Sequence, residues 1–90
     1  MSLAALTKTP GDILDYAFDY SVWIGTDVIS TSTWTVPNPL TKVSDSFDSD
    51  SATAFISGGK VGETYKIVNT IVTVALRTKQ VSFNLKIIDV

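Results

Sequence analysis

The stretch Gly58-Gly59-Lys60-Val61-Gly62-Glu63-Thr64-Tyr65-Lys66-Ile67-Val68-Asn69-Thr70-Ile71-Val72-Thr73-Val74-Ala75-Leu76 reads as a tight corner feeding a long strand. Ile67, Val68, Thr70, Ile71, Val72, Thr73 and Val74 are β-branched, hence stiff at χ1 and better suited to a pleated surface than to a helix. From Tyr65 onward the residues alternate: Tyr65, Ile67, Ile71 and Thr73 share one face, Val68, Val72 and Val74 the other. Both faces are largely apolar, which predicts a strand covered by protein on both sides. Gly58, Gly59 and Gly62 supply the positive φ angles that such a corner demands.

Downstream, Arg77 to Lys79 read as a polar hairpin turn. Val81, Phe83, Leu85 and Ile87 then alternate with Ser82, Asn84 and Lys86, predicting a strand with one wet face. Upstream, Ala52 to Ser57 is a compact strand with Phe55 or Ile56 inward, and Thr41 to Phe47 is a short strand at a sheet edge, closed by Asp48 to Ser51. Ile29 to Val36 is rich in threonine and ends at Pro37, which cannot donate to a ladder. Ser21 to Asp27, with Trp23-Ile24 before Gly25, reads as a bend or single helical turn with Trp23 as a plug beneath it. Leu14, Tyr16, Phe18 and Tyr20 alternate with Asp15, Ala17 and Asp19, giving an aromatic face and an acidic face. Ile13, Tyr16, Ala17 and Tyr20 also fit helical spacing, but the density of aromatics favours a strand. Ala4 to Thr9, closed by Pro10-Gly11, completes the set as an edge strand.

About seven short strands with no long helix predict an all-β, immunoglobulin-like antiparallel β-sandwich. In such sandwiches a tyrosine near the start of the sixth strand bonds its hydroxyl to the backbone of the preceding corner, and Tyr65 occupies that place. Trp34 stands where the buried tryptophan belongs. Burying roughly 150–250 Å² of it at about 25 cal/mol per Å² contributes at most roughly 4–6 kcal/mol.

With 90 residues the chain is expected to form one domain, residues 1–90, around a single core. The apolar fraction of 44% suits a folded protein, and the net charge of −2 argues against nucleic acid or an anionic membrane as partner. Aspartates dominate before the glycine corner, while Lys60, Lys66, Arg77, Lys79 and Lys86 lie within or after it. The chain has no cysteine, so no disulfide joins the sheets. Its N-terminus has neither the basic nor the long apolar region of a signal peptide, and no run reaches transmembrane length, so a soluble product made in the cytoplasm is expected.

Candidate chemistry is sparse. The chain has no histidine, the most frequent partner in acid–base and nucleophilic catalysis, and its lack of cysteine as well removes the usual transition-metal ligands. Asp45-Ser46-Phe47-Asp48-Ser49-Asp50 is an acidic loop without the mid-loop glycine and final glutamate of a calcium-binding EF-hand. Gly58-Gly59-Lys60-Val61-Gly62 lacks the Gly-Lys-Ser/Thr of a phosphate loop and leads into a strand, not a helix. Catalytic residues, metals and cofactors are therefore expected to be none. Tyr16, Phe18, Tyr20, Trp23 and Trp34 have two readings: a platform stacking on sugars in a carbohydrate-binding or cell-surface adhesion module, or core aromatics.

Three runs taken together, Leu14 to Ile24, Thr33-Trp34-Thr35-Val36 and Ser57 to Tyr65, resemble the phage fiber-tail adaptor family, small proteins of phage and prophage tails. Pro10-Gly11-Asp12 matches the turn on which those proteins open, and the likeness extends from Pro10 to Leu85. One departure follows the long strand, where Ala75-Leu76 stand in place of a small residue and a glycine before Arg77. The resemblance implies an immunoglobulin-like virion protein of the tail that joins proteins and possesses no enzymatic activity; other tail or fiber proteins are the expected partners, and a homo-oligomeric ring is a further expectation from multivalent contact. Trp23, Trp34, Tyr65, Gly58, Gly59 and Gly62 are its expected structural residues.

Overall fold

A computed structural model describes residues 6–89. Seven strands and one helical turn follow in order: β1 (Leu6–Lys8), β2 (Leu14–Asp19), α1 (Ser21–Ile24), β3 (Ile29–Thr35), β4 (Leu40–Phe47), β5 (Ser51–Gly58), β6 (Thr64–Thr73) and β7 (Thr78–Ile87). One sheet has the order β1-β7-β6-β3 and the other β2-β5-β4, so the chain is an all-β sandwich. Every pairing is antiparallel except that of β1 with β7, which is parallel. Residues Ala4 and Ala5 of the expected first strand lie outside the described residues. Lys8 and its neighbours form that strand at a sheet edge, as its Pro-Gly ending implies.

The core is read off the period-2 alternation. Tyr16 and Phe18 on β2, Ala52, Ala54 and Ile56 on β5, Ile67 and Ile71 on β6, and Val81, Phe83, Leu85 and Ile87 on β7 all point inward. On β5 the inward residue is Ile56, and Phe55 is exposed. Trp34 is buried and stacks on Phe18 at 5.6 Å between ring centroids, and Phe18 also meets Phe83 at 5.6 Å. The aromatic face of β2 is thus core, and the helical alternative for that run is excluded.

Two expectations need correction. β6 is central in its sheet, but protein covers only one of its faces: Ile67, Asn69, Ile71 and Thr73 are buried while Val68, Thr70 and Val72 are half-exposed. Those outer residues are β-branched because they lie in a pleated strand, not because a second layer covers them. The hairpin between β6 and β7 also turns earlier than Arg77 to Lys79. Its tip is Val74 to Arg77, closed by the Leu76 amide donating to the Thr73 carbonyl and the Thr73 amide to that of Arg77. Polarity misplaces this turn, because its tip residues Val74 and Leu76 are apolar and exposed.

Asn69 is the buried polar residue that alternation places inward and that an apolar core would reject. Its amide oxygen accepts from the Tyr20 hydroxyl at 2.6 Å, and its Nδ2 donates to Ser32 Oγ and the Thr33 carbonyl. Satisfied in this way, Asn69 joins β6, β3 and the end of β2 across the core. Lys8 makes a similar link at the opposite end. It is buried, and its Nζ donates to the carbonyls of Thr9 and Gly58, both at 2.6 Å. Burial pushes its pKa down, with Asp12 opposing.

Candidate interaction surface

The glycine corner connects β5 to β6. Gly58, Gly59 and Gly62 have φ of 82°, 105° and 89°. The Lys60 amide donates to the Tyr65 hydroxyl at 3.2 Å, so the tyrosine ties the corner as an acceptor. Tyr65 is half-buried against the core. Trp34 is buried between the sheets, and Trp23 lies at the other end from the corner.

At that other end three connections meet: the β2–β3 link containing α1, the β4–β5 turn and the β6–β7 turn. The Tyr20 amide donates to the Asp50 carbonyl at 2.7 Å, the Ile29 amide to that of Ser49 at 3.0 Å, and the Val74 amide to that of Val28 at 2.9 Å. Asp27 organises the junction. Its Oδ1 accepts from the amides of Val28 and Ala75 and its Oδ2 from Arg77 Nε at 3.1 Å. Its carboxyl falls to about 2: the hydrogen bond from the Thr73 side chain lowers it most, desolvation opposes next, and the Val28, Arg77 and Ala75 donors lower it further. Arg77 Nη2 donates to the Ile24 carbonyl at 2.9 Å, and its guanidinium lies 4.4 Å from the Trp23 ring centre. Trp23 is thus not a plug beneath the turn but part of α1 itself, a half-buried platform under two cations, the second being Lys79 at 5.4 Å.

In the acidic turn, Asp48 Oδ1 accepts from the amides of Asp50 and Ser51 and from the Ser51 hydroxyl. These donors hold its carboxyl below the ordinary range, the Asp50 amide most. The oxygen is spent on turn geometry. Among the described residues no group of three or more acidic side chains is placed to hold a metal.

Beside Trp23 a groove of about 510 Å³ opens between β2 and β7. Ala17, Phe18, Tyr20, Val22, Trp23 and Val81 make it apolar, and Asp19 and Lys79 are its charged members. Val22 is 99% exposed and Leu76 on the neighbouring turn 84%. Of the aromatics considered for sugar stacking, Tyr16, Phe18, Tyr20 and Trp34 are buried, and only Trp23 is partly open. The site offers apolar surface between hydrogen-bonded loops, which suits protein contact.

Sequence reasoning passes over Asp27 and Arg77 as organisers because they are separated by 50 residues. Asn69 carries a signal, its even spacing from Ile67 and Ile71, whereas its partners do not.

No curated protein matches the chain. A family model described as podophage GP4 fiber-tail adaptor protein gp77 matches residues 8–86. That span runs from β1 through β7 and includes the glycine corner, the Asp27–Arg77 junction and the groove. The chain belongs to the phage fiber-tail adaptor family.

Proposed function

We propose that this chain is a structural protein of a podophage tail that joins fiber and tail proteins, with an immunoglobulin-like sandwich as its scaffold and no enzymatic activity. The single observation that carries the reading is the family match across residues 8–86. The immunoglobulin-like description is supported by the division of strands, with the second, fourth and fifth in one sheet and the third, sixth and seventh in the other. Here the first strand pairs with the seventh instead of the second. A binding role without catalysis fits a chain without histidine or cysteine whose groove beside Trp23 is apolar. Contacts are made with other tail or fiber proteins, and copies arranged in a ring gain avidity from repeated weak contacts. The protein is made in the host cytoplasm and resides in the virion tail.

The test is mass spectrometry of purified particles. Peptides of this chain at a few or more copies per particle are expected. Their absence from particles, with the protein present in the lysate, would overturn the assignment to the virion.

A further inference from the structure

The edges of the two sheets are not alike. On one side of the sandwich lie β3 and β4. β3 changes register between Ile29 and Thr31, and β4 between Lys42 and Ser44. Beyond Leu40, β4 is exposed along its whole length. Lys42 and Asp45 stand opposite Ile56 and Ala54, on the core-facing side of the sheet, and pair with each other at 2.8 Å. Bulges and inward-pointing charges are devices that stop an edge from accepting another strand.

On the other side lie β2 and β7, whose registers with β5 and β6 run without a shift. The Ile87 amide donates to Glu63, towards β6, and the Ile88 amide to Lys8, towards β1. The Arg77 carbonyl accepts from Thr73, again towards β6. Alternation therefore aims the backbone groups of Gln80 and Ser82 away from β6, at the edge. β1 pairs only with Leu85, Lys86 and Ile87. Among the described residues nothing pairs with β7 from Thr78 to Phe83 on that edge, and the apolar groove beside Trp23 opens along the same stretch.

We propose that the outer edge of β7 from Thr78 to Phe83, together with the groove beside Trp23, accepts an extended segment of a neighbouring tail or fiber protein as an added strand in line with β1. The inference rests on the adaptor reading and specifies its contact. Backbone groups of Gln80 and Ser82 supply the ladder, and an apolar side chain at alternate positions of the incoming segment fills the space between Phe18, Val22 and Trp23. Arg77 is neutralised by Asp27, whereas Lys79 has no acidic partner among the described residues. A carboxylate beside the apolar residue of the segment therefore meets a cation.

Two variants and one exchange measurement test this, using tail particles assembled without the chain as the probe. Ser82→Pro removes an amide that faces the open edge and no amide that bonds to β6, and its ring restricts φ there as well. Ala17→Trp fills the groove from an exposed position on β2. Each variant is expected to enter particles at least tenfold less than the unmodified chain. In the isolated chain at low concentration, the amides of Gln80 and Ser82 should exchange rapidly by nuclear magnetic resonance, with those of Val81 and Phe83 protected. Equal entry of the two variants and the unmodified chain would overturn the strand-acceptor inference and leave the adaptor reading standing. Failure of the unmodified chain to enter would overturn both. Protection of Gln80 and Ser82 in the dilute isolated chain, or its onset only at high concentration, would assign the edge to the chain's own terminal segment or to a second copy and so overturn the inference.

Discussion

Gly59 and Gly62 lie three residues apart in one corner, both at positive φ, and meet different surroundings. A Cβ on Gly59 would stand 2.6 Å from Ile87 Cγ1 and 3.0 Å from Leu40 Cδ2, whereas one on Gly62 meets nothing within 4 Å. Gly62→Ala is expected to cost about 1–2 kcal/mol for the left-handed backbone alone. Gly59→Ala adds overpacking of roughly 1–3 kcal/mol, so chemical denaturation should rank the two in that order. The positive φ at these residues was legible in the glycines themselves. Which glycine faces packed side chains was not, because Ile87 and Leu40 arrive from distant strands. Tyr20 illustrates the same divide. Its place on the aromatic face follows from alternation, but its bond to Asn69 does not. Burial raises its hydroxyl from 10.0 to about 12. Because the folded state favours the protonated phenol, the stability it protects is complete below pH 10 and falls as the pH rises through about 12. Unfolding curves across that range should show the loss, and Tyr20→Phe should remove this component of it.

At the scale of elements, the β6–β7 hairpin shows what a residue out of place does. Leu76 has φ of 66° and is exposed, so it bears backbone strain without burying its side chain. Leu76→Gly should therefore stabilise the fold by up to about 1 kcal/mol, read as a higher denaturation midpoint. No gain would mean that Leu76 makes a contact which offsets its strain. The alternating pattern of β7 gave its inward face correctly because a strand with one wet face separates apolar from polar residues. The pattern of β6 misled because Val68 and Val72 are β-branched on a half-exposed face, where propensity and burial favour the same residue types. Turn position failed for a related reason: Arg77, which reads as a polar turn residue, instead reaches back to Asp27, Ile24 and Trp23.

Across the whole molecule, the sandwich, the glycine corner and the buried Trp34 were readable because each follows from local alternation or from a single conformational demand. The junction of loops at the α1 end and the asymmetry of the sheet edges were not, since both arise only once strands are ordered across two sheets. Trp34→Ala belongs to this scale: it removes the ring that Phe18 stacks on between the sheets, and about 3–5 kcal/mol of lost stability is expected from the unfolding midpoint. Such a loss is a substantial share of the roughly 5–15 kcal/mol that domains possess. With the fold intact, the central claim is that the chain connects fibers to the tail. Fiber content of particles assembled without this chain, counted by electron microscopy and quantified against tail proteins by mass spectrometry, tests it most directly. Particles with tails and without fibers are expected, and particles that retain their full complement of fibers would contradict the account.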